Sequence, residues 1–546
     1  MAGYGRQTPQ SLCSLVLTAH FLQFRRVSES GNHETPNNGL ARCTGCSEEN
    51  KKQCSKEEDR LPNMPCDESK PSCAKCLRSG WKCDYDAASA SSESESSPTT
   101  ISGSSALLPI ARYSIPFKIP GSQKDRRLLH YFCVQGSDDI SGFLASEFWS
   151  QTVLQAGHED LVVRQALVAM SSLHLDYISS SPDRASVASC ETLSLYGKAL
   201  RSLGKRIAQP SDGATRTALV CCILFYCCES AIGDRNAALQ HLSNGLKLLA
   251  SAQYEKVADE SKGTESLTTI FERLDMQASF FEDDRIPILA SPEYKCEEPD
   301  HGLLPPRQGF FGLEDAQQRL VKLQGWLYHF VNKNAEFYQE AKESLSLDIL
   351  EERSSLEQGY NAWIEGINEF ENRDRHNAQT LHGIRTLLVH FHVCQMILQS
   401  KFPQDHSVFG ASPNPAAHHI LDLAETLLEH TIQVNASPSA TKTPRRNFSL
   451  ETGVVAPLFA LAIKCSDDSV ATRAAQMLAS SHRREGLYDA QTMSRIINEL
   501  KRSRESAMQI KEQNGGWIED VIPLEYHIPH QYEGGGIDKL LWSMSL

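Results

Sequence analysis

Six cysteines near the front of the chain carry the spacing of a metal site. Cys66, Cys73, Cys76 and Cys83 fall as C-x6-C-x2-C-x6-C within CDESKPSCAKCLRSGWKC, and Cys43 and Cys46 add a second C-x2-C pair. A C-x2-C turn lets two thiolates reach one tetrahedral Zn(II). Structural zinc sites fill every position with protein ligands, so the pattern points to a metal that folds the chain, not one that activates water. A segment this short buries too little apolar surface to fold alone, and metal binding would supply the missing free energy.

Other groups of reactive side chains have simpler readings. CCILFYCC (221–228) reads as a buried helix that uses cysteine as a small apolar residue. HFHVC (390–394) places two histidines two residues apart. On a helix such residues point about 200° apart, so His390 and His392 do not converge on a metal. FEDDR (281–285) reads as a helix end with a salt bridge. KDRR (124–127), TPRR (443–446) and HRRE (482–485) read as solvated charge rather than nuclear-import signals. Asn435-Ala-Ser and Asn447-Phe-Ser match the glycosylation triplet but have no expected secretory route. No phosphate-cradling glycine loop, no G-x-S-x-G and no acid–base grouping stands out, so the expectation is not an enzyme.

The elements that must hold these residues follow from composition and periodicity. The chain has 546 residues, 40% hydrophobic and 8% aromatic, with a net charge of −14. That length implies roughly two to four domains. The acidic balance excludes a protein that coats nucleic acid along its whole length, but a local DNA-binding patch remains compatible. Seven of the seventeen cysteines lie between residues 43 and 83. That clustering fits reduced thiols in cytosol or nucleus better than a secreted disulfide framework. LCSLVLTAHFLQF (12–24) makes a poor signal peptide, interrupted by His20 and with its arginines after it. No run reaches the roughly 20 apolar residues of a membrane helix, so no membrane partner is expected.

Residues 1–41 read as a disordered arm, 42–86 as the cysteine module, and 87–124 as a linker whose core (87–110) is Ser-rich. From 125 to 510 apolar residues recur at helical spacing, with almost no strand alternation. The clearest element is an αα-hairpin: a nearly all-apolar helix at 216–230, a Gly233-Asp234 turn, then an amphipathic helix at 235–251. Further helices are expected near 264–282, 315–343, 346–372, 376–402, 414–434, 451–465, 467–480 and 487–506, with a loop at 435–447. Residues 511–546 read as an irregular tail. The expected fold class is mainly α: a small metal-folded module, a disordered linker and a large all-α body.

CDESKPSCAKCLRSGWKC resembles the second half of the fungal binuclear zinc cluster, the Zn2Cys6 transcription regulators. The resemblance implies two zinc ions on Cys43, Cys46, Cys66, Cys73, Cys76 and Cys83, with Cys43 and Cys73 bridging, and DNA as the partner. It also implies a first helix whose basic residues contact phosphates and bases in the major groove; Arg42, Lys51 and Lys52 are the nearest candidates here. The chain departs from the family between the second and third ligands, where about six basic-rich residues are replaced by the 19 of 47–65. The segment 42–86 holds nine basic and nine acidic residues, so it is neutral and implies weak DNA binding. Three readings stay open. The insert loops out, or Cys54 replaces Cys66 as third ligand at C-x2-C-x7-C, or the insert is a gene-model artefact.

LLHYFCVQGSDDISGFLASEFWSQTVLQAGHEDLVVRQALVAMSSLH, GDRNAALQHLSNGLKLL, FERLDMQASFFEDDRIPIL and RREGLYDAQTMSRIINEL resemble, in that order, phrases of the fungal-specific regulatory domain. The resemblance implies a nuclear regulator of RNA polymerase II genes, with a helical body that contacts itself, other regulators or a small effector. The alternative is a helical interaction or ligand-sensing protein that does not bind DNA and keeps a degenerate zinc module.

Overall fold

A reciprocal capping box opens the first helix. Ser122 Oγ accepts from the Asp125 N–H at 3.1 Å and Asp125 Oδ2 accepts from the Ser122 N–H at 3.0 Å, so α1 runs from Gln123 to Tyr131. The computed structural model describes residues 120–144, 146–180, 188–208, 213–250, 267–280, 285–289, 309–337, 342–373, 376–435, 446–513 and 523–528. The arm 1–41, the cysteine module with Arg42, Lys51, Lys52 and all seven candidate ligand cysteines, and the linker up to residue 119 lie outside the described residues. So does most of the tail.

The described residues are mainly helical. After α1 come α2 (Val153–Glu159), α3 (Leu161–Ser179), α4 (Cys190–Ile207), α5 (Ala214–Ile232) and α6 (Arg235–Leu249). The expected hairpin is present. Gly233 ends α5 at φ +96°, the left-handed conformation that glycine adopts without a Cβ clash. Asp234 then caps α6 by accepting from the Ala237 N–H at 3.0 Å. Every residue from Thr217 to Ala231 is buried, with α3 on one side and α6 on another. By length and composition α5 would suffice to cross a membrane, but most of it is buried inside the protein. Cys221, Cys222, Cys227 and Cys228 are interior residues of this helix, and burial pushes the thiols of Cys221, Cys227 and Cys228 up.

The rest of the body comprises α7 (Leu267–Ser279), α8 (Leu313–Lys333), α9 (Leu347–Arg373), α10 (Ala378–Gln399), α11 (Pro415–Asn435), α12 (Val455–Lys464), α13 (Asp468–Ser481) and α14 (Ala490–Gln513). The helix expected over 315–343 stops ten residues early. Asn334 closes it, its backbone N–H donating to the Phe330 carbonyl at 3.3 Å and its side-chain Nδ2 donating to the same oxygen at 2.8 Å.

Two apolar cores result. One gathers α1 to α7 with α11 to α14; the other packs α8, α9 and part of α10 around Trp326, Trp363 and Phe391. The wall between them is α10, which is why it buries apolar residues on two faces. Val389, Val393 and Met396 face the first core, while Leu387, Phe391, Cys394 and Leu398 face the second.

The body is not all-α. A three-stranded sheet joins β1 (Asn447–Ser449) in parallel to β2 (Arg483–Glu485), and β2 turns antiparallel onto β3 (Tyr488–Asp489). Strands of two or three residues are too short to show alternation. The same sheet overturns the reading of HRRE as solvated charge. Arg484 is drawn inward, donating to the Ser230 carbonyl at 3.2 Å and pairing with Asp489 at 3.4 Å, and Glu485 is buried. Of TPRR only Arg446 is described, with its guanidinium 5.3 Å from the Tyr177 ring centroid.

Candidate functional site

The loop from Leu450 to Val455, between β1 and α12, collects polar groups from four distant segments. Glu451 is the centre. Its Oε1 accepts from Arg273 Nε of α7 at 3.1 Å and its Oε2 accepts from Gln317 Nε2 of α8 at 3.2 Å. Both members of the ion pair are nearly solvent-free, at 4% and 7% side-chain exposure. His390 of α10 donates from Nε2 to the Gly453 carbonyl at 2.7 Å, which fixes its tautomer; burial holds its pKa down at about 4, so the ring is neutral. Glu485 of β2 accepts from the N–H groups of Gly453 and Val455 at 2.9 Å and of Val454 at 3.2 Å. It caps the positive end of α12, whose own N-cap residue, Val454, has no side-chain acceptor. From α7, Gln277 Nε2 reaches the carbonyl of Leu450 at 3.2 Å.

His390 of this cluster also lines a cavity of about 540 Å³, walled by α7, α8, α10, α12 and residues 525–528. Its apolar walls come from Met276 and Phe280, from Leu327 and Val331, from Val393 and Ile397, and from Ala456, Pro457, Ala460 and Ile463. Most polar side chains on the walls are engaged within the protein. Tyr328 Oη donates to the Ser279 carbonyl, Asn332 Nδ2 donates to the Tyr328 carbonyl at 2.9 Å, and Lys464 at the mouth pairs with Glu525 at 2.8 Å. A smaller chamber of about 30 Å³ adjoins it and shares Met276, Phe280, Gln324 and His390 as walls. Arg273, Gln317 and Glu451 line its inner side.

Two glutamines stand out along α8. Gln317, 7% exposed, holds its Oε1 buried without a hydrogen-bond partner. Gln324, 5% exposed, donates Nε2 to Cys394 Sγ at 3.6 Å, and among the described residues nothing donates to its Oε1. The cavity was not foreseen in the sequence. Its walls are ordinary core residues, and only the side-by-side packing of two cores leaves the gap.

The metal candidates Cys43, Cys46, Cys54, Cys66, Cys73, Cys76 and Cys83, and the DNA candidates Arg42, Lys51 and Lys52, lie outside the described residues. Among the described residues no group of three or more His, Cys, Asp or Glu side chains could hold a metal ion. His390 and His392 diverge as helical geometry requires: His390 meets Gly453, while the His392 ring sits 5.5 Å from that of His419 on α11. Of FEDDR only Arg285 is described. It closes the end of α7 by pairing with Asp275 at 2.6 Å, whose other oxygen accepts from the Ile288 and Leu289 N–H groups.

The helical body matches the model of one protein family, the fungal specific transcription factor domain, over residues 127–524. The chain belongs to that family. Curated relatives of this regulator carry matching names. The aspercryptin biosynthesis cluster-specific transcription regulator atnN of Emericella nidulans is 23% identical over 545 residues, covering 82% of this chain and 86% of the relative. The transcription regulator lscL of Purpureocillium lilacinum is 27% identical over 225 residues, covering 37% of this chain and 50% of the relative. No solved structure matches the regulator. The match begins inside α1 and ends at Leu524, so the loop 450–455 and nearly all the cavity walls fall within the family domain.

Proposed function

We propose that this member of the family is a nuclear, DNA-binding regulator of RNA polymerase II genes, held to DNA by a zinc-folded module at 42–86. The observation that carries the reading is order along the chain: a C-x2-C pair and a C-x6-C-x2-C-x6-C run stand ahead of a family domain of transcription regulators. Six thiolates would hold two zinc ions, with Cys43, Cys46, Cys66, Cys73, Cys76 and Cys83 as the set and Cys54 as the substitute for Cys66. Such a module folds only with its metal. Arg42, Lys51 and Lys52 would meet phosphates. The name of the first relative extends the proposal to the genes of a biosynthetic cluster as targets.

The test is metal content and DNA association of the full chain purified under reducing conditions. Two zinc ions per chain, with DNA binding that falls steeply with salt, supports the reading. A chain that takes up no zinc, or whose zinc-loaded form does not bind DNA at low salt, refutes it. One observation favours a second reading. Nine basic and nine acidic residues cancel across 42–86, which suits a helical interaction or ligand-sensing protein that keeps the zinc module without binding DNA. Two bound zinc ions with no DNA association would select it.

A further inference from the structure

We propose that the 540 Å³ cavity between α7, α8, α10 and α12 is a binding site for a neutral, largely apolar small molecule that carries one hydroxyl or N–H donor at its inner end. The proposal goes beyond the DNA-binding reading and stands without it. The volume lies within the ~300–1,000 Å³ of pockets that enclose small organic ligands. Apolar side chains from both cores form the walls, so an occupant of this size would bridge them.

The polar end of the site selects the chemistry. Gln324 lines both the large cavity and the small chamber, and Gln317 lines the chamber. Both belong to side chains more than nine-tenths buried, and nothing described in the protein donates to either oxygen. Among the described residues Gln324 Oε1 has no donor, and a ligand donor would supply the hydrogen bond it lacks. The occupant is neutral because the charges nearby are used. Glu451 is paired with Arg273 and Glu525 with Lys464, so a cation at the inner end would lose water without gaining a counter-ion. An anion there would meet an Arg273 guanidinium whose charge the Glu451 carboxylate beside it already neutralises.

The test uses the full-length protein and N-phenyl-1-naphthylamine, a neutral apolar fluorophore with a single N–H. Its emission should rise saturably with a micromolar dissociation constant. 1-Decanol should displace it about three- to tenfold more effectively than decyl methyl ether, the worth of one neutral hydrogen bond. Gln324→Leu should bring alcohol and ether within twofold of each other. Ala460→Trp, which fills the cavity, should weaken the dye at least tenfold. Ala335→Trp places the same bulk at the exposed mouth, where folding is not at risk, and should weaken it likewise. The proposal is overturned by absent saturation up to 100 µM dye, by equal displacement by alcohol and ether on the unaltered protein, or by undiminished binding in Ala335→Trp.

Discussion

Replacing Glu451 by leucine strips the centre from the polar cluster. In the native chain its carboxylate neutralises Arg273 at 4% side-chain exposure and also accepts from Gln317. Leaving a buried guanidinium without its counter-charge costs about 3–5 kcal/mol. The lost Gln317 hydrogen bond adds about 1 kcal/mol, giving roughly 4–6 kcal/mol for Glu451→Leu. Arg273→Met strands the carboxylate instead and should cost about 3–5 kcal/mol. The double variant removes both charges and buries apolar atoms in their place. Its loss should be roughly 2 kcal/mol, far below the sum of the single losses, so the coupling across 178 residues of chain is several kcal/mol. Urea unfolding followed by tryptophan fluorescence reads this directly, because Trp149 sits in one core and Trp326 and Trp363 in the other. The reasoning fails if Glu451→Leu costs less than about 1 kcal/mol, or if the double variant loses the sum of the two singles.

Further expectations concern buried acids, turns and thiols. Burial, with Asp234 adding to it and the Tyr196 hydroxyl opposing, raises the Glu229 carboxyl to about 8. The native state therefore keeps a proton that the unfolded chain releases above about 4.5, and the stability Glu229 contributes is lost as pH rises from 4.5 to 8. Glu229→Gln should flatten the fall in thermal midpoint between pH 5 and 8.5; an unchanged slope rejects the assignment. Gly486→Ala should destabilise by at least about 1–3 kcal/mol, since φ is +52° and a Cβ would meet Gln277 Nε2 at 2.3 Å. A thermal midpoint within 1 °C of the native one would contradict the close approach. Under native alkylation at pH 8, peptide mass spectrometry should find exposed Cys190 labelled rapidly and Cys221, Cys227 and Cys228 labelled only after unfolding. Equal rates would mean that α5 opens locally.

Helices were legible because each announces itself within its own residues. The hairpin of α5 and α6 shows apolar spacing, a glycine stop and an aspartate cap within about 35 consecutive positions. The ends expected for α9 to α13 fell within four residues of those observed. Contacts made between distant segments were not legible. Asn447 pairs with Arg483 in a ladder too short for alternation, so the charges of HRRE looked like surface. Glu451 meets Arg273 and Gln317, and nothing near Glu451 in the chain signals either. The same holds for the cavity, whose lining alternates with true core along every helix that supplies it. His390 was legible in part. Its divergence from His392 follows from helical geometry, but its partner Gly453 does not.

The convergence at 450–455 bears on what a shortened product of the gene could do. A chain that stops between residues 400 and 446 keeps α7, α8 and α10 but lacks Glu451 and Gly453, to which Arg273, Gln317 and His390 are bonded. Those three side chains would then lose the partners that this loop gives them. Early termination by alternative splicing or a nonsense codon should therefore yield a species cleared by proteolysis, not a half-sized regulator with altered activity. An exchange between family members is sound only if residues 267–500 travel as one block.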